Sequence, residues 1–367
     1  MPRNSVTQMD ARRKLAQMEA RERRRIRRKW HIGTFGHFLT VFFTLLIAII
    51  VVVAMVVGQF LTGPSSTATD IMAQTLMQTS ALKFVPYLYL FENTDAVIAR
   101  NTVLSSNQVT DASLVTIKAH LQDETDDPAA ETESFDENGI RVEKVVGPTY
   151  RGYMMIVRDP SRVFVGVSNS YFTKDKPGKY VYEIIDKYNA LAGINGGAFA
   201  DSKGSGNGGE ALGLSYSEGT RMTRADGAKY KTVVGFDQND ILHVGDFTIE
   251  EADAIGLRDA VAFGPALVVN GEGLFANVAA DKSVQPRSVI GQRADGAVLL
   301  LVIDGRQANS LGASYTDLIN VMLNYGAVNA CNLDGGSSTV MYYHGEQLND
   351  GMTISNSRRM PTAWIVR

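Results

Sequence analysis

The chain has 367 residues and a formal net charge of −3, but the charge is unevenly distributed. Eleven Lys or Arg and three acidic residues give the first 30 positions a net charge of +8, which leaves −11 for the rest. A basic segment of this kind can bind nucleic acid or orient a membrane protein. Cys331 is the one cysteine, so no intrachain disulfide can form, which favours a bacterial source for an exported chain of this size.

An uncharged, apolar segment follows the basic tail. Between Trp30 and Thr69 there is no Asp, Glu, Lys or Arg, and Leu39 to Val57 contains only aliphatic residues, Phe, Met, Ala and two Thr. A bilayer core requires ~20 apolar residues, and a soluble helix would show a polar face that this stretch lacks. We therefore predict a cytoplasmic tail over 1–36 and a transmembrane helix over 37–61, with orientation set by the positive-inside rule. This assignment replaces nucleic-acid binding as the explanation of the basic tail.

A cleaved signal peptide is the alternative interpretation of the apolar segment. Its apolar region would span only ~7–15 residues, and Ser66-Thr67-Ala68 is a weak cleavage site. We therefore predict an uncleaved single-pass anchor in the lipid bilayer, with an extracellular main domain, in the cell membrane of a Gram-positive bacterium.

Residues 62–138 are predicted to form a juxtamembrane stalk and an acidic linker. A short helix is expected within 70–92. Between Leu121 and Ile140 there are eight acidic residues and no basic ones, with Pro128 in the middle. Such a composition cannot bury a hydrophobic core, so we place the main domain at 139–367.

The main domain is predicted to be α+β, with a largely antiparallel sheet core and a few packed helices. Apolar β-branched runs joined by short turns predict three hairpins; they pair 153–157 with 162–167, 232–236 with 241–244, and 288–292 with 297–303. Helices are predicted over Tyr180–Leu191, which has an apolar face, and over Tyr315–Tyr325, which follows the N-cap Ser314.

Several common functional motifs can be set aside. Gly204, Gly206 and Gly209 spell G-x-G-x-x-G, but no strand precedes them and no helical pattern follows, so a dinucleotide site is not expected. The five histidines are scattered along the chain, which disfavours a histidine-based metal site or catalytic triad.

Three apolar strands end in polar, glycine-rich turns, after Ile194, Ile303 and Leu333. Each turn taken alone is explained by ordinary Asn-Gly or Asp-Gly turn chemistry. Together they place Asp304 and Asp334 at the same ends of two strands, provided that these strands are parallel neighbours. Catalytic residues collect where rigid strands meet loops, and glycines let a ligand approach the backbone.

These residues resemble the phosphodiester glycosidase family, whose bacterial members are often named exopolysaccharide-biosynthesis proteins. The resemblance covers roughly 150–367 and rests on ordered matches: Ile194-Asn195-Gly196-Gly197, Gly264 to Val268, Gln285-Pro286-Arg287-Ser288, Asp304-Gly305-Arg306, Asn332 to Thr339, and Arg359 with the strand 361–365. The chain departs from the family at Ala198, where an aromatic residue is usual, and in an enlarged loop at 201–210.

The resemblance implies hydrolysis of a sugar-1-phosphodiester at its glycosidic bond. The substrate would be a phosphodiester-linked glycan or a nucleotide-sugar-like molecule. Asp334 and Asp304 are the catalytic candidates, and which of them acts as base or nucleophile is left open. The substrate-binding candidates are Asn195, Gly196, Gly197, Arg287, Arg306, Gly335, Gly336, Ser337, Thr339 and Arg359, with the arginines assigned to the phosphate.

Two alternatives remain at this point. A non-catalytic glycan-binding or exopolysaccharide-assembly protein on the same fold would use its acids only in turn hydrogen bonds. A divalent cation at Asp304 and Asp334 would be Ca²⁺ rather than Zn²⁺, because the donors are oxygens and no histidine is near in sequence.

Overall fold

The computed structural model describes residues 16–25, 36–53, 55, 109–118, 134–201, 206–223, 227–274, 284–350 and 358–367. The chain divides into two compact units, Met1–Ser66 and Thr67–Arg367. The expected helix within 70–92, the end of the predicted span after Met55 and most of the acidic linker lie outside the described residues.

The first unit contains two helices, α1 at 16–25 and α2 at Gly36–Val53. Helix α2 is long and apolar enough to cross a membrane, as a single-pass anchor or a signal sequence would be. The hydroxyl of Thr40 donates to the Gly36 carbonyl at 2.9 Å, and that of Thr44 donates to the Thr40 carbonyl at 2.8 Å. Both polar side chains are therefore satisfied within the helix, as a hydrocarbon environment requires.

The second unit contains 17 strands in its described part. In chain order these are β1 Ile140–Val146, β2 Arg151–Val157, β3 Val163–Val167, β4 Ala192–Asn195, β5 Tyr216–Ser217, β6 Thr220–Arg221, β7 Tyr230–Asp237, β8 Leu242–Phe247, β9 Leu257–Ala262, β10 Ala266–Val269, β11 Glu272–Gly273, β12 Arg287–Arg293, β13 Val298–Ile303, β14 Ala327–Asn332, β15 Met341–Tyr343, β16 Glu346–Gln347 and β17 Thr362–Val366. The helices are α3 Val181–Lys187, α4 Ile249–Ile255 and α5 Tyr315–Asn324.

These strands form three antiparallel sheets, which confirms the predicted α+β class. The orders are β1-β2-β13-β12-β14-β10-β11, β16-β15-β4-β17-β3 and β6-β5-β9-β7-β8. The predicted hairpins β7–β8 and β12–β13 are present. The first predicted hairpin is wrong, because β2 pairs with β1 and β13 whereas β3 joins another sheet beside β17. Local turn chemistry at 159–161 could not reveal that the chain changes sheets there.

The hydrophobic core lies between the three sheets, and a helix covers the outer face of each. Strand β13 shows the arrangement: Val298, Leu300 and Val302 face the central core, while the alternate side chains Leu299, Leu301 and Ile303 pack in the cluster that includes α5. Both faces of β13 are thus buried, which explains why its sequence is continuously apolar rather than alternating.

A segment of the predicted stalk packs on the main domain. Residues 109–118, here called the strap, contact the turns at one end of the sheets. Asp111 N–H donates to Asn270 Oδ1 at 2.7 Å, and Thr116 N–H donates to the Ala294 carbonyl at 2.8 Å. Val115 is buried in a small cluster with Ile241 and Val328. The folded unit therefore includes strap residues N-terminal to the predicted boundary at 139.

Candidate active site

The topology brings three predicted site residues to one edge of the seven-stranded sheet. Strand β12 lies between β13 and β14 and is antiparallel to both. Strands β13 and β14 are therefore parallel, as expected from the sequence. They are not neighbours, because β12 lies between them. Arg287 at the start of β12 pairs with Ile303, next to Asp304, while Asp334 follows the end of β14. We call this edge the site edge.

Asn195 connects the site edge to the second sheet. Its side-chain nitrogen donates to the main-chain oxygen of Asp334 at 2.5 Å, and its oxygen accepts from Ser288 Oγ at 2.6 Å and Val340 N–H at 3.3 Å. The side chain is fully buried. In this structure the polar atoms of the Asn195 side chain are thus engaged by protein groups, and the side chain links β4 to the Asp334 loop.

Asp334 is half-buried in a polar loop. Its carboxylate accepts hydrogen bonds from Gly335 N–H at 3.0 Å and from the Ser338 side chain. Desolvation raises the pKa of Asp334 to about 6, outweighing these hydrogen bonds and the nearby charge of Arg358, which lower it. A carboxyl group with this pKa can exchange a proton near neutral pH, as acid–base catalysis requires.

A half-buried cation interacts electrostatically with Asp334. Arg358 donates to Asp201 Oδ2 at 2.5 Å and to the Gly206 carbonyl at 3.4 Å, and its guanidinium group lies 4.9 Å from the centre of the Phe199 ring. The Asp201 carboxylate raises the pKa of Arg358, and the charge of Asp334 raises it further. Arg358 therefore remains a fixed positive charge beside the raised-pKa carboxylate.

Arg359, the predicted phosphate ligand, has a different environment. It donates to the Gly178 carbonyl at 3.2 Å, and its guanidinium group lies 4.8 Å from the centre of the Tyr180 ring. Successive side chains of an extended segment point in opposite directions. The arginine that interacts electrostatically with Asp334 is therefore Arg358, which the sequence analysis did not select.

Asp304 is almost completely buried, and both carboxylate oxygens accept hydrogen bonds. Asn349 donates to Oδ1 at 3.0 Å, and Asp350 N–H donates to Oδ2 at 3.3 Å. Burial raises the pKa of Asp304, and the Asn349 hydrogen bond opposes the rise. Asn349 also donates to the Thr339 carbonyl at 3.1 Å and accepts from Met341 N–H. It therefore joins Asp304 to the loop that follows Asp334.

The two other predicted phosphate ligands lie near each other. Arg287 is buried, donates to the Tyr315 hydroxyl at 3.0 Å and lies over that ring. Arg306 is exposed and donates to Gln285 Oε1 at 3.0 and 2.6 Å. Desolvation lowers the pKa of Arg306, and the charge of Arg287 lowers it further. This pairing of like charges creates a positive potential that favours an anion.

The predicted glycines fall into two groups. A Cβ on Gly196 would lie 2.4 Å from Thr362 Oγ1 of the adjacent strand β17, and one on Gly197 would lie 2.7 Å from Val261 Cβ of another sheet. Close packing therefore requires glycine at both positions. Gly336 has a φ of +62° and lies 3.7 Å, measured from its ideal Cβ position, from the Arg306 guanidinium group. Gly336 therefore shapes the site loop itself, where a left-handed conformation favours glycine.

The remaining predicted contacts are in the same loop. A Cβ on Gly335 would lie 2.8 Å from the Pro286 carbonyl, and Ser337 is half-buried. Thr339 is buried, and within the described part of the chain its hydroxyl has no hydrogen-bond partner. The neighbouring Ser338, which reaches Asp334, was missed by the sequence analysis, because a run of two serines and a threonine does not show which hydroxyl turns inward.

The donor set does not fit a bound Ca²⁺ ion. Ca²⁺ requires six to eight oxygen ligands around one point, whereas two N–H donors face the Asp304 carboxylate. Among the described residues, no group of three or more His, Cys, Asp or Glu side chains could hold a metal ion.

Arg358, Asp201 and Asn349 were also missed. Arg358 adjoins the selected Arg359, and only the register of the closing segment distinguishes them. Asp201 and Asn349 occur in polar loops with no motif of their own. The ion pair between Asp201 and Arg358 could not be predicted from the sequence, because it depends on how two loops far apart in the chain fold together.

Comparison with known proteins identifies the domain. Residues 188–367 match the family model for phosphodiester glycosidase. The matched part, just under half of the chain, is similar to the phosphodiester glycosidase family. The sequence-based resemblance is therefore confirmed, and strands β1 to β3, which precede the matched residues, complete the same sheets.

One solved structure supports the fold. The catalytic domain of zebrafish N-acetylglucosamine-1-phosphodiester alpha-N-acetylglucosaminidase, described as auto-inhibited by its pro-peptide, has a TM-score of 0.50 and 19% identity. The match covers 62% of this chain and 81% of that one. A hypothetical protein from Synechocystis has a TM-score of 0.44 and 16% identity, with 62% of each chain covered. At these identities the likeness concerns the fold alone.

One curated relative is similar in sequence. The SPbeta prophage-derived uncharacterized protein YomE of Bacillus subtilis strain 168 is 29% identical over 201 residues. The match covers 52% of this chain and 29% of the relative. The chain therefore spans less than a third of that relative's length.

Proposed function

We propose that the protein hydrolyses the glycosidic bond of a sugar-1-phosphodiester in an envelope or extracellular glycopolymer. The family match supports glycosidase chemistry on phosphodiester-linked sugars. Helix α2 and the basic tail support a single-pass anchor with a cytoplasmic N-terminus and an extracellular domain. The absence of a cysteine pair supports a Gram-positive bacterial source.

The observation that carries the proposal is the Asp334 carboxyl group, which follows β14 at the site edge and interacts electrostatically with Arg358. Burial raises the pKa of Asp334 to about 6, so the group is largely ionised at pH 7 and still basic enough to accept a proton. In the reaction, water adds to the anomeric carbon, the bond from that carbon to the phosphate oxygen breaks, and the phosphomonoester leaves. A phosphomonoester is a good leaving group, so strong general-acid assistance is unnecessary.

The described contacts support a separate role for each residue of the site. Asp334 is the reacting carboxylate, either as base toward water or as nucleophile, and the anomer released distinguishes these two mechanisms. Arg358 and Arg306 bind the diester charge, because guanidinium groups match phosphate oxygens in geometry. Asn195 and Asp304 act as positioning residues, since their polar atoms are engaged by protein groups.

The test uses the purified full-length chain in detergent with methyl GlcNAc-1-phosphate diester and with UDP-GlcNAc. We expect free GlcNAc from the wild type and at least a hundredfold less from Asp334→Asn. Asp295→Asn, at the far end of β12 and β13, is the matched control and should retain activity. Failure of the wild type to release sugar from any sugar-1-phosphodiester would overturn the hydrolase assignment.

A glycan-binding protein without catalytic activity is the second candidate. The observation that favours it is Asp304, whose two oxygens both accept hydrogen bonds from the 349–350 turn. That candidate predicts equilibrium binding of the glycan with no release of sugar, and equal binding by the wild type and Asp334→Asn.

A further inference from the structure

A surface rich in cations and aromatic rings lies beside the site edge. We call it the basic–aromatic rim, and its residues are Tyr171, Lys176, Lys179, Tyr180, Tyr182 and Arg359. The proposed reaction assigns no role to any of them.

The rim is physically attached to the site. Lys179 and Met360 form an isolated antiparallel bridge, with N–H to carbonyl distances of 3.1 and 2.8 Å. Arg358, the cation beside Asp334, is two residues before Met360. The rim therefore begins at the boundary of the site and extends away from it along residues 171–179.

The aromatic rings of the rim are held in fixed positions. Tyr180 and Tyr182 stack with centroids 5.5 Å apart and planes 9° from parallel, and Tyr182 meets Tyr342 at 6.0 Å. The guanidinium group of Arg359 lies over Tyr180. Tyr182 is nevertheless 42% exposed. Rigid phenol groups offer contact area and hydroxyls to a ligand at low cost in conformational entropy.

The charge of the rim contrasts with the rest of the chain. Residues 31–367 carry a net charge of −11, whereas the rim contributes three cations. Lys176 lies 5.8 Å from the centre of the 62% exposed Tyr171 ring. Lys174, in the same loop, pairs with Glu210 at 3.5 Å and is therefore not counted in the rim. Asp175 and Glu183, which accepts from Tyr180 N–H at 2.8 Å, offset two of the three charges, so the rim keeps a net charge of about +1 that attracts polyanions.

The geometry points to a binding surface for the polymer chain of the substrate, on which Lys176, Lys179 and Arg359 bind neighbouring phosphodiester groups and the tyrosines contact sugar hydroxyls. This inference rests on the proposed function and makes it more specific: the substrate is a repeating sugar-phosphate polymer rather than a single nucleotide sugar. Cations spaced along an exposed surface suit repeated phosphates, whereas one diester fills only the site itself.

The experiment compares a synthetic poly(GlcNAc-1-phosphate) of about ten repeats with methyl GlcNAc-1-phosphate diester, using the full-length protein in detergent. For the double variant Lys176→Gln/Tyr182→Ala we expect about a fivefold higher KM for the polymer. Its KM for the small diester should stay within about twofold of wild type, and its polymer KM should depend less steeply on salt. Lys231→Gln, an exposed lysine of β7, is the charge-matched control and should change neither KM.

Equal changes for the two substrates, or no change for the polymer, would overturn the inference. If the wild type hydrolyses neither substrate, the proposed function fails. Equilibrium binding of the same polymer then tests whether the rim binds the polymer chain. A Kd about fivefold weaker in the double variant than in Lys231→Gln then supports the rim, and an equal Kd overturns it.

Discussion

The side-chain nitrogen of Asn195 donates a hydrogen bond to the main-chain oxygen of Asp334 over 2.5 Å, and this bond joins the ends of β4 and β14. Removal of the Asn195 amide would also leave the buried Ser288 hydroxyl and Val340 N–H without this acceptor. We expect Asn195→Ala to lower the free energy of unfolding by about 2–3 kcal/mol.

Urea denaturation followed by the fluorescence of the buried Trp364 measures this loss. Asn324→Ala, at the exposed end of α5, is the control and should change the free energy of unfolding by less than about 0.5 kcal/mol. Equal values for the two variants would show that the amide of Asn195 does not hold the loop.

The second prediction concerns the pH dependence of hydrolysis. Because burial raises the pKa of Asp334 to about 6, kcat/KM should fall as the pH decreases through about 6, where the carboxylate becomes protonated. The measurement is a pH–rate profile with methyl GlcNAc-1-phosphate diester. A profile that stays level down to pH 4 would exclude Asp334 as the reacting base.

The same group should affect stability. The pKa of Asp334 is higher in the folded than in the unfolded chain, so the folded state holds more protons between about pH 4 and 6. The free energy of unfolding therefore falls as the pH rises through this window, and above it the cost is constant, on the order of 3 kcal/mol. Asp334→Asn should be more stable than wild type at pH 7.5, and the difference should vanish near pH 4. A variant equally stable at both pH values would contradict this linkage.

The fourth prediction tests whether activity depends on Arg358 specifically and not on any arginine of the domain. Arg358→Gln removes the cation beside Asp334, and we expect kcat/KM for the small diester to fall about a hundredfold. Arg293→Gln removes an arginine paired with Asp295 at the opposite end of β12, and this control should keep kcat/KM within about threefold. A reduction in unfolding free energy without loss of activity would indicate that Arg358 only anchors Asp201.

The fifth prediction tests the strap. Val115 is 7% exposed and Leu114 is 42% exposed, so the two neighbours differ mainly in burial. Val115→Ala should lower the free energy of unfolding by about 1–2 kcal/mol, whereas Leu114→Ala should have less than about half that effect. Similar values for both variants in urea denaturation would mean that the strap is not part of the folded unit.

Much of the fold could be predicted because the signals were local. The capping box of Ser314 and Asp317 places the start of α5, and continuous or alternating apolar runs identify the strands. The membership of β2 and β3 in different sheets could not be predicted, since it depends on which distant strand offers the better packed partner. The strap was assigned to the linker because one turn of apolar residues beside an acidic stretch gives no periodic pattern.

The site could be predicted at the level of loops but less well at the level of side chains. The sequence places Asp304, Arg287 and Asp334 at strand ends, and antiparallel pairing through β12 puts those ends at one edge. Sequence alone could not show that Asn195 turns inward or that Arg358 rather than Arg359 lies beside Asp334. Those orientations follow from the register of short segments, and a shift of one residue reverses them.

The position of the strap has a mechanical consequence. It holds the β12–β13 turn at residues 294–295, whereas Arg287 begins the same strand at the site edge, roughly 20 Å away at 3.3 Å per residue. Tension that reaches the domain through residues preceding 109 is therefore borne first by the strap and the turns beneath it. A pulling force of this kind would therefore displace residues 109–118 before it deformed the loops around Asp334.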